Sequence, residues 1–162
     1  GIEFEVQTSP IDGLDFLFNA PFMDADITNL EVASGVFREV TPSFTPQAQL
    51  AGMIRYEWPN VAFGGAFAIQ ADAYYASSNY HNIRNYEAQQ MEARRVGNLK
   101  GTWYSADEKW ELQAFVDNIA DENYKITGFD LPTLCGCNEE AYGLPRWWGV
   151  RVRYNWDGGS LF

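Results

Sequence analysis

Apolar and polar residues alternate with a period of two along most of this chain, in seven separate rows, which commits it to strands with one greasy and one polar face. Ile2, Phe4, Val6 and Thr8 form the first row against Glu3, Glu5 and Gln7. Ser9-Pro10-Ile11-Asp12-Gly13 supplies turn chemistry, and Leu14, Phe16, Phe18, Ala20 and Phe22 resume the alternation in a strand expected to run as far as Ile27. The next rows are Leu50, Gly52, Ile54, Tyr56 and Trp58, then Phe67, Ile69, Ala71, Ala73 and Tyr75, then Leu99, Gly101 and Trp103. Trp110, Leu112, Ala114 and Val116 follow, and Val150, Val152, Tyr154 and Trp156 come last.

The connections alternate in length. Residues 9–13, 59–65 and 105–109 are short, whereas 24–46, 77–92 and 128–145 are long, polar and without a period of their own. A soluble sandwich gives no reason for every second connection to be long. An outer-membrane barrel does, because its periplasmic turns are short and its outer loops long. Such a barrel also turns apolar side chains outward to lipid and polar ones inward to a wet lumen. The charges opposite the apolar rows, among them Arg55, Asp72, Lys100, Glu111, Asp117, Arg151 and Arg153, then need no dry core. A strand such as 14–27 exceeds the roughly nine to eleven residues that cross hydrocarbon at a tilt, so its end is expected to project beyond the outer surface.

Composition agrees. The chain has 6 Trp, 9 Tyr and 11 Phe in 162 residues, and Trp58, Trp103, Trp110 and Trp156 fall on apolar rows beside short turns or near the chain end, where an interfacial aromatic girdle is expected. The formal charge of −11 argues against a nucleic-acid partner. No stretch of roughly 18 apolar residues could form a membrane-spanning helix, and Gly1-Ile2-Glu3-Phe4-Glu5 has neither the basic nor the apolar region of a signal peptide.

Two stretches resemble the C-terminal part of the barrel of TonB-dependent outer-membrane receptors. Residues 110–124 contain Asn118-Ile119-Ala120-Asp121-Glu122-Asn123-Tyr124, similar to the family's NLxDxxY strand, and Pro145-Arg146-Trp147-Trp148-Gly149-Val150-Arg151-Val152-Arg153-Tyr154-Asn155-Trp156 resembles its closing strand. Gly1-Ile2-Glu3-Phe4-Glu5, Pro10-Ile11-Asp12-Gly13-Leu14 and Phe22-Met23-Asp24-Ala25 fit in the same order, so the resemblance extends over essentially the whole chain. It implies an all-β fold: an antiparallel transmembrane β-barrel segment, about the last seven strands of a 22-stranded barrel filled by an N-terminal plug. Residues 1–162 would then be one portion of a receptor whose other strands and plug lie outside this chain. The implied partners are outer-membrane lipid, those strands and the plug, a TonB-type energy-coupling protein and a small-molecule nutrient; the implied place is the bacterial outer membrane. Gly149, Val150, Val152, Tyr154 and Trp156 resemble the insertion signal of outer-membrane proteins, which in this family usually ends on an aromatic residue in the strand. Here Asp157-Gly158-Gly159-Ser160-Leu161 precedes the terminal Phe162, so either Trp156 or Phe162 could take that place.

No catalytic constellation emerges, and an enzyme is not expected. His81 is the only histidine, and its neighbours read as a loop. In a receptor, His81, Arg84, Asn85 and Tyr86 become candidate ligand contacts, each weighed against a solvated loop tip. Arg151 and Arg153 would line the lumen and attract an anionic ligand, unless carboxylates such as Glu111 and Asp117 on the adjoining strand neutralise them. No cofactor or metal is expected: Cys135-Gly136-Cys137 beside Glu139 and Glu140 is a weak metal signal, and Asp121-Glu122-Asn123 lacks calcium-loop spacing. The two cysteines are open to a strained loop disulfide, an outside partner or free thiols. Two other readings compete with the receptor. One is a complete eight-stranded barrel with a structural or adhesion role, its extra strand in residues 32–41 or the tail; the other is a soluble sugar-binding sandwich.

Overall fold

The computed structural model describes residues 1–131 and 133–156. Its strands are β1 (Ile2–Ile11), β2 (Leu14–Phe22), β3 (Ile27–Ala33), β4 (Val36–Val40), β5 (Gln49–Trp58), β6 (Ala66–Ala76), β7 (Asn79–Tyr80), β8 (Gln90–Met91), β9 (Arg94–Tyr104), β10 (Trp110–Asp117), β11 (Lys125–Leu131), β12 (Cys137–Tyr142) and β13 (Trp147–Tyr154). Seven of them form one antiparallel sheet in the order β1-β2-β5-β6-β9-β10-β13. These are the seven alternating rows of the sequence.

The pairing register puts all seven apolar rows on one face. Phe16 stands opposite Thr8 and Ile54, Ile54 opposite Ala71, Ala71 opposite Leu99, Leu99 opposite Val116, and Leu112 opposite Trp103 and Val152. A slip of one residue at any seam would have sent the next row to the polar side. Nothing covers this face among the described residues. Phe16, Ile54, Leu112 and Val152 are 37%, 49%, 41% and 59% exposed. A two-layer dry core, which the soluble sandwich requires, is absent from the described residues.

The opposite face is organised by cross-strand polar pairs. Asp15 meets Arg55 at 3.5 Å, Arg55 also bonds Glu57, Asn98 donates to Asp72 at 2.7 Å, and Gln113 donates to Thr102 at 3.1 Å. Tyr74 donates to Gln49 at 2.8 Å, and Arg153 to Glu111 at 3.1 Å. Each pair joins neighbouring rungs of a ladder or neighbouring strands, so the charges satisfy one another in water rather than in a core.

The three long connections do not stay irregular. Each folds into a two-stranded hairpin, β3–β4, β7–β8 and β11–β12, and all three stand on the same edge of the sheet, opposite the short turns. The strand expected over 14–27 therefore ends at Phe22. Met23 N–H donates to Gln47 at 2.9 Å and Phe22 bridges Ala48, after which Asp24-Ala25-Asp26 breaks the ladder and Ile27 opens β3. The sheet strands are thus 8 to 11 residues long, close to a tilted membrane crossing, and the height of the outer edge comes from separate hairpins. β4, in the stretch considered for an eighth barrel strand, pairs with β3 and not with the sheet, whose edges remain β1 and β13.

Candidate functional site

Three regions hold the candidate residues: the polar face, the hairpin edge and the two aromatic margins. On the polar face, Arg153 lies directly across from Glu111, which is almost fully buried, and Arg151 across from Gln113. The adjacency expected between this strand and β10 is present, and it divides the two arginines. Arg153 is bound to a carboxylate, whereas no ion pair is found for Arg151 among the described residues.

At the hairpin edge the side chains knit three loops together. Asn85 accepts from the Thr41 N–H at 2.7 Å and donates back to the Thr41 carbonyl at 3.1 Å, fastening the β7–β8 loop to the end of β4. Phe44 N–H donates to Tyr80 at 2.8 Å, and Arg38 lies 5.7 Å over the Tyr86 ring. Gln89, fully buried, donates to Asp130 of β11 at 2.9 Å, Arg84 stands 4.0 Å from the same carboxylate, and Asn138 of β12 donates to Ala88 at 3.1 Å. Lys125 donates to the Gln90 carbonyl at 3.1 Å and pairs with Glu140. Of the sequence candidates, Asn85 and Tyr86 hold loops together, Arg84 rims Asp130, and His81 is buried rather than at a loop tip.

The charges here shift one another. Lys125 first, and the Tyr142 hydroxyl second, hold the Glu140 carboxyl below its ordinary value, and Glu140 in turn raises Tyr142. Burial, and after it Lys125, lower the His81 imidazole. A cleft of about 690 Å³ opens beside this pair, lined among others by Glu87, Glu92, Glu122, Lys125, Glu140 and Tyr142. Its single lysine is already paired, so its electrostatic surplus is negative. Cys135 and Cys137 are joined as a disulfide across Gly136, with Cα atoms 5.2 Å apart, so of the states left open by the sequence the local one is formed. Among the described residues no group of three or more His, Cys, Asp or Glu side chains could hold a metal ion, and no helix is long and apolar enough to cross a membrane.

The aromatic residues gather at both ends of the apolar face. At the short-turn end Trp58 packs on Tyr56 (4.6 Å) and Phe67 (6.2 Å), Trp110 on Tyr154 (4.6 Å) and Trp156 on Tyr154 (4.8 Å), while the Trp103 indole donates to Ala62 at 3.2 Å. Phe22, Tyr75 and Trp148 stand at the opposite, hairpin end of the same face, with Trp148 77% exposed. The step of two back from Val150 to Trp148 is the signal that could have found this second margin. In the strand similar to the insertion signal, Val150 and Val152 are on the apolar face, Gly149 is on the polar face against the Phe115 ring, and Trp156 lies just past the end of β13; Phe162 lies outside the described residues.

Asn118 was also missed as a structural centre. It is buried, donates to the Glu122 and Leu144 carbonyls at 2.9 and 3.0 Å, and accepts from Glu122 N–H at 2.9 Å. Asp121 accepts from Arg146 N–H at 2.8 Å, and the Tyr124 ring occupies the space where a side chain at Gly143 would be. Asn118, Asp121 and Tyr124 thus clamp residues 143–146, the lead-in to β13.

No protein-family model and no curated protein matches the sequence. Solved structures do. The receptor for ferric preacinetobactin from Acinetobacter baumannii, BauA, superposes with a TM-score of 0.69 at 18% identity over 94% of this chain, and the ferric yersiniabactin uptake receptor FyuA from Yersinia pestis with 0.73 at 14% identity over 94%. The chain spans about a fifth of either receptor, 21% and 22% of their lengths. At these identities the likeness is one of fold, and it makes this chain an all-β antiparallel sheet with the fold of a barrel segment of such receptors.

Proposed function

We propose that this chain is the C-terminal barrel portion of an outer-membrane receptor that imports a scarce nutrient, driven by a TonB-type coupling protein that engages the receptor's plug. The observation that carries this reading is the uncovered apolar face. A seven-row greasy surface with polar pairs behind it has no stable place in water, and lipid is the solvent that suits it. The aromatic margins at its two ends would sit at the two interfaces. The open edges β1 and β13 would pair with the remaining strands, since unpaired backbone groups are not tolerated in hydrocarbon. The resemblance of residues 118–124 and 145–156 to the TonB-dependent family supports the energy coupling, and the two similar structures, both described as receptors for ferric chelates, make ferric chelates the first substrate class to test ahead of vitamins and oligosaccharides.

The test is uptake by a deletion strain. Loss of import of one labelled ferric chelate, vitamin or oligosaccharide, restored by the intact gene and abolished again without the coupling protein, is the expected result. Unchanged import of all three classes overturns the proposal.

A further inference from the structure

We propose that His81 is a proton-operated latch: when neutral it holds the β11–β12 hairpin against the β7–β8 loop, and when protonated it lets that hairpin go. The residue sits where the two meet. Its backbone N–H donates to the Gln89 carbonyl at 3.0 Å, its side chain is buried, and its ring Nε2 has no partner. The ring lies against the bare backbone of Gly128 on β11: a Cβ there would stand 2.8 Å from Nε2 and 3.3 Å from Cδ2.

The groups that face the ring are Lys125 and Asp130 from β11 and Glu140 from β12, with Arg84 of its own loop beside Asp130. Both carboxylates are engaged already, Asp130 by Gln89 and Arg84, Glu140 by Lys125, Tyr142 and Asn138. A neutral ring is accommodated at the cost of a buried Nε2 without a partner. A charged ring would bring a cation into a buried place near Lys125, with its Nε2–H left without a partner. The undocked hairpin, open to water, imposes neither cost, so the proton favours release.

Because the docked imidazole is held below its ordinary value of about 6.5, docking is fully favoured above that pH and weakens as pH falls through it toward the lower, docked value. Acidified surroundings would then loosen the hairpin edge. The latch is a statement about this edge alone and stands or falls apart from the uptake reading.

The experiment is amide hydrogen exchange over residues 125–142 in the full-length protein in micelles, near pH 7.5 and near pH 5.5, either side of about 6.5 and above the range where ordinary carboxylates titrate. After correction for intrinsic exchange, wild-type protection is expected to fall at the lower pH, by up to about tenfold for each unit separating the docked and undocked values. In His81→Gln the protection should be the same at both. Protection in the wild type that does not change, or a fall that persists in His81→Gln, overturns the latch. Should His81→Gln leave the hairpin unprotected at both values, the titration of the His81 ring itself decides: a midpoint below the ordinary value supports the latch, and one at or above it sinks it.

Discussion

Gly128 has no room for a side chain. A Cβ would stand 2.7 Å from the Glu139 carbonyl and 2.8 Å from His81, both of them fixed by the hairpin and by burial. Gly128→Ala should therefore push the ring or the strand aside at a cost of about 1–3 kcal/mol to the local fold, read as faster proteolysis within residues 125–142 with the barrel intact. Asn118 behaves in the opposite way, because it contributes groups rather than space. Asn118→Ala removes three hydrogen bonds and leaves the part-buried backbone groups of Leu144 and Glu122 without their partner, a loss of about 1–3 kcal/mol that should appear as a lower melting temperature of the folded band in heat-modifiability gels. At the short-turn edge the Ser105 hydroxyl donates to Asp107 at 2.6 Å and holds its carboxyl below the ordinary value. The turn gains from that bond above the ordinary carboxylate pH and loses it as pH falls through the lowered value. Ser105→Ala should return Asp107 toward its ordinary titration, measurable by NMR.

At the scale of the element, the two faces of one strand make opposite predictions. Ala114, midway along β10 between Gly101 and Val150, is on the apolar face; Gln113 beside it is on the polar face. Ala114→Arg should lower folding stability in lipid vesicles by about 2–4 kcal/mol, whereas Gln113→Arg should leave it nearly unchanged. Equal effects of the two would remove the case for lipid on one side. The strands of the sheet were legible in the sequence because each alternates over six residues or more, long enough for one face to be committed. The hairpins were not. β7 and β8 are two residues each, β3–β4 and β11–β12 carry register shifts, and both of their faces mix polar with apolar side chains, so no period marks them. The end of β2 was misjudged for a related reason, since apolar residues continue past Phe22 while its pairing partner does not.

At the scale of the molecule, the seven strands form a sheet with two free edges, and the chain alone should not behave as a closed barrel. Produced by itself in detergent it should aggregate or remain heat-unmodifiable, while a monomeric, heat-modifiable species would show that seven strands suffice. The site was less legible than the fold. Alternation revealed which residues face each way and that the strand of Arg151 and Arg153 would adjoin the one carrying Glu111 and Asp117, but not that His81 is buried, Asn85 spent on Thr41, or Asn118 the clamp for β13. Those facts depend on contacts between segments 26 to 47 residues apart, which no local pattern records.

The binding of three loops to one another reaches beyond stability. Because Thr41, Asn85, Gln89, Asp130 and Asn138 tie β4, the β7–β8 loop and the β11–β12 hairpin into one body, the proposed placement in an outer membrane would make what an antibody meets on this edge a composite of distant stretches. A linear peptide copied from any one of them would be a poor immunogen against the living cell.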